Sequence, residues 1–167
     1  MAIAQATCNV FVYGSLQADD VVRVLLNRVP PSSPAALHHY QRFSIKGRVY
    51  PAILPAERSK VDGRLLWGIT LPELEILDNF EDVEYEKRNV DVSLVDDSSE
   101  AFQAYTYVWA NEADPDLYGE WDFEEWKELH MKDFIRMTAG FVEEKEQLDS
   151  RTRVQTYQSF YKQEDDH

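Results

Sequence analysis

The residues best able to do chemistry fall in two stretches far apart in the chain. The first is Tyr13-Gly14-Ser15-Leu16, with Gln17-Ala18 behind it, at the end of the apolar run Val10-Phe11-Val12. A strand that turns through Gly-Ser into a helix start leaves several backbone N–H groups unpaired and pointing one way, and glycine lets a ligand approach the main chain closely. Such a nest suits a carboxylate or a phosphate. The same residues also fit a plain strand–turn–helix corner. The second stretch is Leu77-Asp78-Asn79-Phe80-Glu81, which closes a predicted helix. A carboxylate there meets the negative end of the helix dipole, and that field, helped by burial, raises its pKa toward that of a general base. Glu81 is thus the candidate base. A solvated acidic turn, continued by Asp82-Val83-Glu84, is the alternative.

Other chemistries find less support. The histidines at 38, 39, 130 and 167 show no HExxH pattern and no cysteine partner, so no metal is expected. Ser15 follows a strand, but its flanks are not G-x-S-x-G and no histidine is evidently placed as its base. Cys8, the single cysteine, reads as a small core or edge residue rather than a reactive thiolate.

The elements that must position these residues follow from periodicity and turn chemistry. After the first strand, Asp19-Asp20 should cap a short helix over 21–26. Val29 to Pro34 is a connector, 37–45 a strand, and Lys46-Gly47-Arg48 its close. The run 49–55, with two prolines, is extended and reads as an edge or as a loop lining a cleft. Arg58-Ser59-Lys60 is expected to turn. Val61 to Ile69 reads as a strand whose glycines mark a bulge or a close backbone approach. Thr70-Leu71-Pro72-Glu73 is a capping-box helix start, and the helix should end near Asn79. Residues 85–95 and 101–110 form a hairpin across a turn at Asp96 to Ser99. From Trp121 to about Glu146 the pattern is helical, with Asp122 as cap and Gly140 expected to break or bend it. The polar stretch at 149–167 reads as a mobile tail following a domain at 1–148.

Composition sets the class. The 167 residues, 44 % hydrophobic with nine Tyr, eight Phe and four Trp, suit one folded domain. The net charge of −14 argues against nucleic-acid or anionic-membrane partners. The first residues lack the basic and apolar regions of a signal peptide, and one cysteine fits a reducing compartment, so a cytoplasmic location is expected. The class is α+β.

Five pieces in order carry a resemblance: Val12-Tyr13-Gly14-Ser15-Leu16, Gly47 with Tyr50-Pro51-Ala52, Val61-Asp62-Gly63-Arg64-Leu65, Leu77-Asp78-Asn79-Phe80-Glu81, and Tyr85-Glu86-Lys87-Arg88. Together they resemble the gamma-glutamylcyclotransferase-like family, in the avirulence-induced-gene branch best known from plants, over about residues 9–110. The resemblance implies a small mixed β-barrel with helices packed around it, here with a C-terminal helical extension at about 121–146. It implies that residues 13 to 18 hold the α-carboxylate of a small gamma-glutamyl compound. It implies that Glu81 is the base that cyclises this compound to 5-oxoproline with release of an amine, without metal or organic cofactor. Gln17-Ala18 departs from the basic or small polar residue of many relatives. Arg48, Tyr50, Tyr105 and Tyr107 are candidates to line the cavity. A second reading stays open, a non-catalytic small-acid-binding or protein-interaction module that docks through its acidic C-terminal helix.

Overall fold

The computed structural model describes residues 6–97 and 99–146, with side chains to residue 143. The tail expected at 149–167 lies outside the described residues, as does Ser98 of the expected turn. Six strands, β1 (Thr7–Val12), β2 (Ser32–Ile45), β3 (Ala52–Thr70), β4 (Tyr85–Leu94), β5 (Ala101–Trp109) and β6 (Leu117–Tyr118), run in the order β3-β1-β5-β4-β2-β6. Strand β3 also pairs with β2, so the order returns on itself as a loosely closed barrel. Closure rests on short contacts. Strand β1 meets β5 in parallel at Val10 and Tyr105, and β2 meets β4 at only two residue pairs. The helices are α1 (Asp19–Leu26), α2 (Leu71–Glu81), α3 (Phe123–Leu129) and α4 (Met131–Glu146).

Strand β1 reads as a continuous apolar run because both of its faces are buried. Phe11 and Tyr13 point into the barrel with Leu37, Ile53, Leu65 and Val108. Val10 and Val12 join a second core between barrel and helices. Two glycines of β3 lie along its pairing with β1. A Cβ on Gly63 would lie 2.2 Å from the Val12 carbonyl oxygen, so this is a close approach. Gly68, at φ 68°, sits where the pairing of β1 with β3 shifts, so this is a bulge.

Strand β3 is longer than its sequence suggests. Arg58-Ser59-Lys60 is no chain reversal. His38 pairs with Lys60 and Tyr40 with Pro55, so residues 56–59 bulge out opposite His39. The reversal between β2 and β3 instead occupies 46–51. Strand β2 likewise begins at Ser32, inside the expected connector. Asp19 and Asp20 lie in the first turn of α1 instead of capping it, and Ala18 is the cap. There they still complement the helix dipole.

Helix α2 starts as its sequence dictates. The Thr70 hydroxyl accepts the Glu73 N–H at 3.3 Å, and the Glu73 carboxylate accepts the Thr70 N–H at 3.0 Å. Leu74, Leu77 and Phe80 are buried beneath it, and it runs to Glu81, two residues past Asn79. The C-terminal segment is two helices broken at His130, not one bent at Gly140. Asp122 does cap α3, accepting N–H bonds from Glu124 and Glu125. Phe134, Met137 and Phe141, spaced on one face of α4, are all buried in the helix-side core. The extension is therefore part of the core, with its charges on the outer face.

Candidate active site

One narrow pocket opens beside the C-terminal end of β1. It is lined by Phe11, Val12, Tyr13, Gly14, Ser15 and Leu16 from the end of β1 and the loop after it, and by Tyr50, Pro51, Glu81, Tyr85 and Tyr107 from elsewhere in the chain. Its open volume is about 20 Å³, room for about one water molecule, so a larger ligand must widen it.

The loop that follows β1 is a single 3-10 turn over Ser15–Gln17. Its hydrogen bonds run from the Gln17 N–H to the Gly14 carbonyl and from the Ala18 N–H to the Ser15 carbonyl, each at 3.0 Å. Helical geometry gives the Ser15 and Leu16 N–H groups, at the start of the turn, no acceptor within it. Glycine is needed at 14 for space rather than for an unusual φ. Its φ is −126°, and a Cβ would come within 2.8 Å of the Pro51 ring. Gln17 and Ala18 do not line this pocket. They face a wider groove with Arg23, Arg64 and Lys127, and the Gln17 amide turns back to the Gly14 carbonyl.

Glu81 reaches the pocket because the core-facing periodicity of α2 ends there. Phe80 is fully buried against Phe134 and Phe141, and the next residue turns to the cavity wall. The chain then leaves α2 through Asp82, at φ 65°, whose N–H bonds the Asp78 carbonyl.

Tyrosines complete the wall. The Tyr107 hydroxyl donates to Asp78 Oδ1 at 2.8 Å, and Asp78 Oδ2 also takes Lys87 Nζ at 2.9 Å. Burial, then the Asp78 bond and the nearby Glu81 charge, push the Tyr107 pKa far above the ordinary tyrosine value, so the phenol stays neutral. Tyr85 donates to the Pro51 carbonyl at 2.7 Å, and Tyr50 to Glu84 Oε1 at 2.9 Å. A carbonyl or carboxylate oxygen can only accept, so each hydroxyl is the donor in its bond.

Of the four candidate lining residues, Tyr50 and Tyr107 are in the wall. Tyr105 lies under the Lys87 ammonium, 5.1 Å from its ring centroid, and Arg48 pairs with Glu84 at 3.1 Å. Tyr85 and Phe11 escaped the sequence reading. Tyr85 opens a strand, and its alternation tells only that it is buried. Among the described residues no group of three His, Cys, Asp or Glu side chains could hold a metal ion. No helix among them is long and apolar enough to cross a membrane.

The pocket and the barrel around it define a class, and comparison with known proteins agrees. The sequence model described as gamma-glutamyl cyclotransferase, AIG2-like, matches residues 10–127, and the chain belongs to this family. The match reaches into α3, past the point near residue 110 where the quoted motifs stop. Within the family the chain is similar to Arabidopsis thaliana AIG2-like protein D, 64 % identical over 136 residues, covering 81 % of this chain and 90 % of that protein. A solution structure of an Arabidopsis thaliana protein is similar at 44 % identity with a TM-score of 0.66, over 90 % of this chain and 97 % of that one. A solved gamma-glutamyl cyclotransferase shares the fold at 17 % identity and a TM-score of 0.55, over 64 % of this chain and 68 % of that one.

Proposed function

We propose that the protein is a gamma-glutamylcyclotransferase that converts a gamma-glutamyl amide into 5-oxoproline and a free amine, with Glu81 as general base. One observation carries the reading: a single pocket is lined by both the Tyr13–Leu16 stretch and Glu81. Backbone N–H donors at the start of the Ser15–Gln17 turn suit a carboxylate. The Glu81 carboxylate suits an ammonium. A pocket with both is complementary to an α-amino acid end.

The chemistry then follows. The α-ammonium gives a proton to Glu81, and the neutral amine attacks the substrate's own γ-carbonyl carbon, forming the ring C–N bond. The bond to the leaving nitrogen breaks as that nitrogen takes the proton that the protonated Glu81 can return, and the ring nitrogen sheds its second proton to the released amine, leaving a neutral lactam and an ammonium. Anchoring the α-carboxylate turns ring closure into a question of conformer, which a narrow pocket favours. A cytoplasmic site of action is part of the same proposal.

The test is product identity. The purified protein is incubated with gamma-glutamyl amino acids, gamma-glutamyl amines and glutathione in ¹⁸O-water. Unlabelled 5-oxoproline and amine in equal amounts from one class support the proposal. Labelled glutamate would mean hydrolysis, and no product from any class would refute it.

A further inference from the structure

Arg42 does not line the pocket but bonds the main chain of a residue that does. Carried on β2, its Nη1 donates to the Tyr13 carbonyl oxygen at 2.8 Å and to the Asp62 carbonyl oxygen at 3.0 Å. The guanidinium packs over the Trp121 ring at 5.6 Å, and Trp121 is in turn fixed by its indole N–H on the Val49 carbonyl at 3.0 Å. The Tyr13 carbonyl belongs to the peptide whose N–H is that of Gly14. The chain has no cis peptide among the described residues, so this C=O and N–H point in opposite directions. Arg42 lines an outer groove with Asp62, Glu120 and Trp121 and is absent from the pocket wall. A carbonyl held by Arg42 turns the Gly14 N–H away from that groove.

We infer that Arg42 is a positioning residue for the substrate's α-carboxylate: it clamps and polarises the Tyr13–Gly14 peptide so that the Gly14 N–H joins the anion-binding turn. The inference rests on the cyclotransferase reading of the pocket and deepens it. A charged donor on a peptide carbonyl makes the N–H across that peptide a stronger donor, because chains of hydrogen bonds polarise one another. The effect passes through the peptide rather than through space. Asp62, Asp122 and Glu120 surround the guanidinium and offset its distant field. Trp121 and β2 hold the side chain in place, which links the segment before α3 to the substrate loop. The chemistry served is recognition of a carboxylate, whatever the leaving amine.

The test uses Arg42→Met and Arg42→Lys in the full chain. The amide signals of Gly14 to Leu16 are followed by NMR during titration with 5-oxoproline, and KM and kcat are measured with a gamma-glutamyl amino acid and with its α-carboxamide analogue. Loss of a charge-assisted bond that acts on the anion predicts Kd and KM at least about tenfold higher in Arg42→Met, with kcat within about threefold. Arg42→Lys should recover part of the loss, and the carboxamide analogue should show no added loss. A merely structural role would not produce that dependence on the α-carboxylate. Wild-type Kd and KM in a folded Arg42→Met, or the same loss with both substrates, would overturn the inference while leaving the cyclotransferase reading intact. If Arg42→Met does not fold, Arg42→Lys decides by the same comparison. A wild-type protein that neither binds nor makes 5-oxoproline would overturn both.

Discussion

Phe134→Ala tests whether the C-terminal helix holds up the site. Phe134 is fully buried, and its ring meets Trp126 at 5.5 Å, Phe80 at 6.1 Å and Tyr50 at 6.4 Å. Two of those partners belong to the site: Tyr50 lines the pocket and Phe80 precedes Glu81. Truncating a buried Phe to Ala costs about 3–5 kcal/mol, part lost transfer and part cavity. The aromatic pairs place the value in the upper half of that range. For a chain of this size that is roughly 6–20 °C in Tm. A domain of ordinary stability survives such a loss at 25 °C but with a much smaller margin. The assay is urea unfolding with Phe134→Leu and Leu129→Ala beside it. Leu129, in the same extension, is 62 % exposed, so its truncation should change stability by about 0.5 kcal/mol or less. Phe134→Leu should fall between the two. A Phe134→Ala midpoint indistinguishable from Leu129→Ala would show that α4 is an appendage and refute the packing argument.

Three further outcomes are expected. Gly63→Ala places a Cβ 2.2 Å from the Val12 carbonyl and 2.9 Å from the Phe11 ring, so β1 must shift; a loss of about 3 kcal/mol or more is expected in thermal melts, and a wild-type melt would contradict it. Asp122→Ala removes the acceptor for two N–H groups at the start of α3 and should cost about 1 kcal/mol, while Asp122→Asn should cost little. Glu73 is held below its ordinary pKa first by its hydrogen bonds with Arg28, so its stabilisation is complete above the ordinary carboxylate pKa and fades as pH falls through the folded value. Glu73→Gln keeps the capping box and loses the charge pairing of a largely buried carboxylate with a 41 % exposed Arg28, so it should cost about 1 kcal/mol at pH 7. The gap to wild type should narrow in acid urea titrations, and a gap constant with pH would exclude the ion pair as its source.

What the sequence makes legible is local chemistry. The Thr70–Glu73 box, the Asp122 cap, the hairpin of β4 and β5 and the apolar run of β1 each declare themselves within a few residues. Glu81 and the turn at Gly14 could be singled out because a helix end and a strand end have known electrical consequences. The misread places are those where distant partners overrule local signals. Pro55 and Arg58 look like punctuation, yet pairing with β2 carries β3 through them and confines the irregularity to a bulge. Gly140 looks like a helix breaker, but a glycine costs only about 1 kcal/mol, less than the burial of Phe134, Met137 and Phe141 on the same helix returns. Arg42 carried no signal, since its hydrogen-bond acceptors lie 29 and 20 residues away.

The most direct measurement is kcat/KM for 5-oxoproline formation by wild type and by Glu81→Gln, with 5-oxoproline affinity measured on both. Removing a general base predicts a fall of about 10²–10⁴-fold in kcat/KM with folding and product binding retained. A Glu81→Gln enzyme within about threefold of wild type would show that the proton goes elsewhere and contradict the account.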